Sequence, residues 1–189
     1  MTNPYSQSLY IGFDTKEIGA FSVARESARD NTWSPMPIRG LILDKLMDEG
    51  LYVRPTERRL GKLYDILSVR ADYDGQASTE FAISRFLVPI IARSRVTRPG
   101  WAMFMDCDML VRASLDELFA SLDRRKALYC VQHQYAPQSC EKMDGFQQTA
   151  YPRKNWSSMM IFNIDHPANQ ALTLEMVNTL PGRDLHRFC

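Results

Sequence analysis

The sequence lacks three features that would indicate its class directly. Its 189 residues include 23 basic and 22 acidic side chains, so no excess of one charge would attract nucleic acid or a membrane surface. No apolar run is long enough to cross a bilayer, and none opens the chain as a signal peptide. Only 4 cysteines are present, without CxxC or zinc spacing, which predicts reduced thiols in a cytoplasmic protein.

Internal repeats, low-complexity tracts and a glycine-rich phosphate loop are also absent. Gly12 stands alone at the end of the first apolar run, so the phosphate loop that nucleotidyltransferases usually carry is missing. With 189 residues, 45% of them hydrophobic, the chain can form one sizeable core but is too short for two comfortable domains. We therefore predict a single domain over residues 1–189.

Short apolar runs alternate with helical patterns, which favours an α/β sheet. Pro35 and Pro37 separate the first helical pattern from the second apolar run, and residues 44–79 predict loops and short helices. Strands are predicted over residues 8–13, 38–43, 101–105, 127–131 and 158–164. Helices are predicted from a capping box at Asp14–Glu17, from Thr79 with a kink or an end at Pro89, from Ser114, and from Pro167 to just before Gly182.

An Asp-Cys-Asp triplet follows the most apolar of these runs. Residues 101–105 are all apolar, as in a strand buried on both faces, and Asp106 and Asp108 come directly after them. Alternate residues of an extended chain point the same way, and α/β sheets bind ligands at the carboxyl ends of strands. The pattern predicts that the two carboxylates share one Mn²⁺ or Mg²⁺ ion. The alternative is that they only cap the following turn.

Two further segments carry candidate ligand-binding groups. Arg85 lies on a predicted helix beside an apolar face, where it either clamps a phosphate or is an ordinary surface arginine. Residues 153–158 combine cations, an amide, an indole and hydroxyls before a predicted strand, a mixture that suits a polyhydroxylated ligand. The alternative is a polar loop in which Trp156 anchors the core. His133 and His186 are candidate metal ligands or bases, or ordinary hydrogen-bonded histidines.

The order of these segments resembles one family. Tyr-Ile-Gly-Phe-Asp at 10–14, Ser-Arg-Phe-Leu-Val-Pro at 84–89, the run ending in Asp-Cys-Asp at 101–108, and Arg-Lys-Asn-Trp-Ser-Ser at 153–158 are similar to the GT-A glycosyltransferases. These enzymes use nucleotide-diphospho-sugar donors, and the likeness is to the glycogenin-like retaining group and its uncharacterised bacterial and phage relatives. It spans Leu9 to Phe188 and implies a Rossmann-like α/β fold, with a mostly parallel central sheet flanked by helices.

The resemblance implies a role for each matching residue. Asp106 would face the ribose and the metal, and Asp108 would ligate the metal most directly. Arg85 would approach the diphosphate or the donor sugar, as a catalytic group beside the two aspartates. The remaining donor-binding residues that the resemblance implies are Ile11, Gly12, Phe13, Lys154, Asn155, Trp156 and Asn163.

The implied reaction moves a sugar from a UDP- or GDP-linked donor to a glycan or another hydroxyl acceptor, with retention of configuration. Enzymes of this group carry a third metal ligand, a histidine, in a C-terminal segment rich in Gly, Lys, Pro and Trp. The chain shows no such segment, so we expect that it lacks this part and that His186 is a further candidate ligand. Two other functions stay open: a metal-dependent nucleotidyltransferase or phosphohydrolase, and a non-catalytic module that binds sugar nucleotides or glycans.

Overall fold

The computed structural model describes residues 6–70, 75–95, 98–133, 153 and 156–187. Its strands lie in one five-stranded sheet and one two-stranded hairpin. They are β1 (Ser6–Gly12), β2 (Ile38–Leu41), β3 (Thr56–Arg59), β4 (Lys62–Asp65), β5 (Gly100–Met105), β6 (Leu128–Cys130) and β7 (Met159–Asn163).

The five-stranded sheet has the order β2-β1-β5-β7-β6. Strand β1 pairs in parallel with β2 on one side and with β5 on the other. Strand β7 runs antiparallel between β5 and β6, so four of the five strands share one direction. This confirms the predicted α/β class with a mostly parallel central sheet.

Helices flank the sheet, and two short 3-10 helices precede α4 and β7. The α-helices are α1 (Ile18–Asp30), α2 (Leu43–Asp48), α3 (Ile66–Arg70), α4 (Val88–Arg95), α5 (Leu115–Ala120), α6 (Pro167–Gln170), α7 (Leu174–Thr179) and α8 (Gly182–His186); the 3-10 helices are Ser84–Leu87 and Trp156–Ser158. Among the described residues, no helix has the length and apolar character that a membrane crossing requires.

The connections around β1 create a crevice at the carboxyl ends of the central strands. The chain leaves β1 through α1 to reach β2 on one side, and later returns at β5 on the other side. Such a reversal of strand order opens a crevice outside the carboxyl ends of the two central strands, where open α/β sheets bind ligands. The register pairs Ile11 with Met105, so β1 and β5 end at almost the same level.

Strand β5 forms the middle of the core, as its uninterrupted apolar sequence predicts. All six of its residues are buried, and Ala102 and Phe104 are completely inaccessible. Helix α4 packs on β5 directly after the 3-10 helix. The prediction of a helix from Thr79 that Pro89 kinks or ends is wrong, because α4 begins only at Val88 and has Pro89 in its first turn. A strand buried on both faces is held firmly, which fixes the position of the chain that follows it.

The two predicted capping boxes have different outcomes. Ser114 accepts a hydrogen bond from the Glu117 backbone N–H at 3.1 Å, as predicted for the start of α5. The prediction for Asp14 is wrong, because α1 begins at Ile18 without a side-chain cap. Asp14 instead accepts hydrogen bonds from the backbone N–H groups of Lys16, at 2.9 Å, and Glu80, at 3.0 Å.

Three other elements differ from their predictions. The stretch 44–79 contains the β3–β4 hairpin, whose turn at Leu60 and Gly61 has positive φ at both residues. The apolar run at 127–131 is typical of a central strand, but β6 lies at the sheet edge and its residues are only partly buried. The single helix predicted after Pro167 is divided into α6 and α7, because Thr173 caps a new helix through the Met176 N–H.

We predict that Gly12→Ala destabilises the fold by about 1–3 kcal/mol through overpacking. A Cβ at Gly12 would lie 2.6 Å from ring carbons of Phe81, which is itself in the core. Urea unfolding measures the change, and Gly19→Ala is the matched control. Position 19 lies in α1, and an alanine Cβ there would meet no other atom within 4 Å. The control should therefore stabilise by about 0.4–1 kcal/mol. Equal effects of the two changes would contradict the packing argument.

Candidate functional site

The predicted acidic pair follows β5 at the carboxyl edge of the sheet. Asp106 continues the ladder by one residue, since its N–H donates to the Ser158 carbonyl at 2.9 Å. Cys107 and Asp108 then form a turn. The extended alternation that predicted two parallel carboxylates therefore stops at Asp106, and the turn sets the direction of Asp108.

Asp106 is a partly buried carboxylate held by a buried cation. Its side chain is 19% exposed, and its Oδ1 lies 3.0 Å from Arg85 Nη1. Burial raises the pKa of Asp106 to about 6, although Arg85 and a hydrogen bond with Ser158 act in the opposite direction. Oδ1 has no solvent exposure, so a soluble cation can reach this carboxylate only through Oδ2.

Asp108 and Cys107 have opposite environments. Asp108 is exposed to solvent, where a soluble ligand can reach it. The Cys107 thiol is buried and donates to a carboxylate oxygen of Glu17 at 3.1 Å, just before α1. Burial, together with this contact to Glu17, raises the pKa of Cys107 to about 12. Cys107 is therefore a neutral packing group between the ends of β1 and β5.

Arg85 is buried, which excludes the surface arginine considered as its alternative. Its side chain is 6% exposed, and its guanidinium carbon lies 4.9 Å from the centre of the Phe104 ring. Nε donates to the Ala82 carbonyl at 3.1 Å, and Nη1 donates to the Ser157 carbonyl at 2.9 Å. A guanidinium fixed in this way holds the Asp106 carboxylate at the end of β5.

His186 supports this arrangement from α8. Its Nδ1 lies 2.8 Å from the Ser157 hydroxyl, and its ring packs edge-on against Phe86. Burial lowers the pKa of His186 to about 3, and the Arg85 cation acts in the same direction. The imidazole is thus neutral at physiological pH, and it fixes the segment whose Ser157 carbonyl binds Arg85.

A polar groove of about 170 Å³ lies beyond the end of β1. It was not predicted from the sequence. It is lined by residues from the end of β1, from the β3–β4 hairpin and from the segment before Glu80. Three cations, Lys16, Arg58 and Lys62, face two acids, Asp14 and Glu80. The only sequence signal was the position of Asp14 directly after a strand, which we interpreted as a helix cap.

The contacts in this groove leave one buried hydroxyl without a partner among the described residues. Arg58 binds Asp44 at 2.7 Å and reaches Glu80 at 3.4 Å, while Thr15 Oγ1 donates to Glu80 at 3.2 Å. Thr79 lines the groove, and its hydroxyl is buried without a hydrogen bond within the described residues. A buried hydroxyl of this kind requires a water or a ligand atom as partner.

The donor-binding residues implied by the resemblance are only partly brought together. Ile11 and Gly12 are buried at the end of β1, so the Ile11 side chain belongs to the core. Phe13 is half-buried and packs edge-on against Phe21. Asn163 lies opposite Trp101, at the amino end of β5, and donates to the Arg124 carbonyl. This position separates Asn163 from Asp106 by the length of the strand.

The segment 153–158 is described only in part. Trp156 is half-buried and its indole N–H donates to the His133 carbonyl at 3.2 Å, so this loop is anchored near the end of β6. Lys154 and Asn155 lie outside the described residues. The predicted role of these residues toward a sugar stays a prediction.

The metal site predicted at Asp106 and Asp108 stays a prediction. No group of three His, Cys, Asp or Glu side chains suited to a metal occurs within the part of the chain that the structure describes. His186 therefore does not complete a ligand set with Asp106 and Asp108. Mg²⁺ in particular is often held by one or two carboxylates together with phosphate oxygens and water.

The fold and site together define a mixed α/β domain with an acidic strand end at the crevice between its central strands. No family model matches the chain. The chain is 42% identical over 180 residues to "Protein CDI" of Arabidopsis thaliana, covering 95% of this chain and 61% of that protein. It thus spans about three fifths of the length of this relative.

Among solved structures, the chain is similar to the glycosyltransferase GlyE of Streptococcus pneumoniae TIGR4. The likeness covers 92% of this chain and 38% of that one, with 14% identity and a TM-score of 0.44. At this level it carries no argument about activity, which must come from the site itself.

Proposed function

We propose that the protein transfers a sugar from a nucleotide-diphosphate donor to an acceptor hydroxyl, with a divalent cation bound by Asp106 and Asp108. The observation that carries this proposal is the position of the two acids at the carboxyl end of β5, in the crevice between β5 and β1. A hard cation prefers these oxygen ligands, and its remaining positions suit water and diphosphate oxygens.

The groove beyond β1 supplies the second half of the proposed donor site. Its three cations, Lys16, Arg58 and Lys62, suit the negative charge of a diphosphate. Because this groove and Asp106 follow adjacent parallel strands, one extended ligand could contact both.

The chemistry required of these groups is mainly electrostatic. When bound, the divalent cation stabilises the charge that develops on the departing nucleoside diphosphate. Arg85 fixes Asp106 in place, and the groove cations orient the diphosphate. The retaining outcome and the UDP or GDP identity of the donor are parts of this proposal that come from the resemblance.

A thermal-shift series with UDP, GDP and ADP, each with Mn²⁺ or with EDTA, tests the proposal. A nucleotide at about 100 times its Kd stabilises by about 2.7 kcal/mol, which should raise Tm by roughly 5–10 °C. We expect one nucleotide to do so only with Mn²⁺. Equal shifts in EDTA would exclude the metal role, and no shift with any nucleotide would exclude the donor site.

Product analysis with the matching nucleotide sugar separates the competing functions. Sugar transfer releases the nucleoside diphosphate and links the sugar to the acceptor or to water. Release of a sugar phosphate would instead identify a phosphohydrolase. Binding without any product would identify a non-catalytic module.

A further inference from the structure

A second groove lies at the opposite side of β1, along the edge strand β2, and has no part in the proposed transfer site. Its volume is about 440 Å³, and residues of β1, β2, α1, α2 and α4 line it. Glu49 is the only acid among the described residues that line it, against four cations: Arg25, Arg39, Lys45 and Arg95. The groove therefore carries a local positive charge in a protein whose net charge is only +1.

Two of these cations have no acidic partner among the described residues. Arg95 pairs with Glu49 at 3.4 Å, and Arg25 pairs with Glu26 at 3.4 Å outside the groove. Arg39 and Lys45 form no ion pair within the described ranges. Arg39 is half-buried, so its charge is incompletely solvated and would gain from an anion.

The same groove contains an open strand edge. The N–H groups of Leu9 and Phe13 donate to the carbonyls of Pro37 and Leu41, so alternate residues of β2 face β1. The peptide groups of Ile38 and Gly40 therefore point away from β1. In the part of the chain that the structure describes, these outward groups have no hydrogen-bond partner.

We propose that this groove binds an acidic polypeptide segment in extended conformation, which adds a strand to the free edge of β2. Backbone pairing to Ile38 and Gly40 supplies affinity, and Arg39 and Lys45 select for Glu or Asp side chains. A second copy of this chain fits less well, because antiparallel pairing of two β2 edges with Ile38 opposite Gly40 would place their Arg39 side chains against each other. A small anion would use the cations but not the strand edge.

Fluorescence anisotropy with labelled synthetic peptides tests this inference. The probe is a short peptide of alternating Glu and Val, and the comparison peptide replaces Glu with Lys. We expect the acidic peptide to bind, the basic peptide to fail, and affinity to fall with added salt. A second acidic peptide carries N-methyl groups on its pairing edge and should bind at least about tenfold more weakly. Equal affinity of the methylated peptide, or no binding of either, would overturn the proposal.

Variants and amide exchange locate the binding. Arg39→Gln combined with Lys45→Gln should weaken the acidic peptide about tenfold. Arg29→Gln combined with Arg125→Gln removes the same charge from exposed positions elsewhere and should leave affinity unchanged.

Amide exchange of Ile38 and Gly40 should slow when the acidic peptide binds, and unchanged exchange at both residues would contradict strand addition. Sedimentation should show a monomer without peptide. A dimer that the double variant abolishes would assign the edge to self-association and overturn the proposal.

Discussion

Asp108→Asn is expected to weaken Mn²⁺-dependent nucleotide binding by about 100-fold, or about 2.7 kcal/mol, while the fold stays intact. The change removes one of two proposed anionic ligands and replaces it with a neutral amide, a poorer ligand for a hard cation. Asp108 is exposed, so its substitution should alter the free energy of unfolding by less than about 0.5 kcal/mol. Calorimetry of nucleotide binding with Mn²⁺, together with urea unfolding, measures both quantities.

Asp48→Asn is the matched control, because Asp48 is also exposed but lies at the end of α2. It should change neither binding nor stability. Unchanged metal-dependent binding in Asp108→Asn would show that the turn aspartate serves the local chain and not a cation. The proposal would then lose the residue that reaches solvent.

Asp106→Asn should change the free energy of unfolding, which Asp108→Asn leaves nearly unaltered. The difference between the two variants tests the environment of Asp106. Asp106 is the ion-pair partner of the buried Arg85, so the neutral amide leaves a guanidinium with less compensation. The pKa of Asp106 is raised to about 6 even with Arg85 beside it, so the buried carboxylate is on balance disfavoured in the fold at pH 7. We therefore expect this variant to gain stability at pH 7 while it loses metal-dependent binding. A loss of stability would show that the ion pair with Arg85 outweighs the cost of burying the charge.

The part of the site that could be read from the sequence is the part encoded by one continuous segment. Strand β5 and its aspartates form a single run in which strong apolar character ends at two acids. The same is true of the Ser114 cap, which involves residues only three apart. Local patterns of this kind depend little on distant parts of the chain.

The rest of the site depends on contacts between distant segments. Asp14 resembles a helix cap in sequence, but it binds the N–H of Glu80, 66 residues away. The hairpin turn uses Leu60 and Gly61, without the Asn-Gly pair that identifies such turns in a sequence. No spacing rule predicts that the hairpin brings Arg58 and Lys62 beside Asp14.

The direction of β7 in the sheet could not be predicted from the sequence either. The apolar run of β7 is compatible with either a parallel or an antiparallel position, and only its pairing shows that it ends at the amino end of β5. This reversal moves Asn163 away from Asp106 while it keeps Ser157 and Ser158 close to it. An apolar strand sequence specifies burial more strongly than it specifies direction.

Arg54→Met is expected to destabilise the protein by about 3–5 kcal/mol, and roughly 10 °C in Tm, the largest stability effect that the structure predicts. The Arg54 side chain is 0% exposed and binds both carboxylate oxygens of Asp65, at 3.2 and 2.6 Å. Its Nη1 also donates to the carbonyls of Val177 and Leu180. Methionine has a similar length but leaves a buried carboxylate and two carbonyls without their donor.

The control for this prediction is Arg29→Met, which breaks an exposed pair with Glu26 and should cost less than about 1 kcal/mol. Combining Arg54→Met with Asp65→Leu should recover part of the loss, because the unpaired carboxylate is then removed. A single-variant loss below about 1 kcal/mol would show that water replaces the guanidinium.

Arg54 also connects stability to the proposed activity. It joins the end of the β3–β4 hairpin to α7, and the same hairpin carries the Arg58 and Lys62 side chains of the groove. The folded fraction of Arg54→Met should therefore bind nucleotide more weakly than the parent protein, even though Arg54 does not line that groove. Unchanged affinity would mean that Asp14 and Arg58 hold the hairpin in place without the buried ion pair.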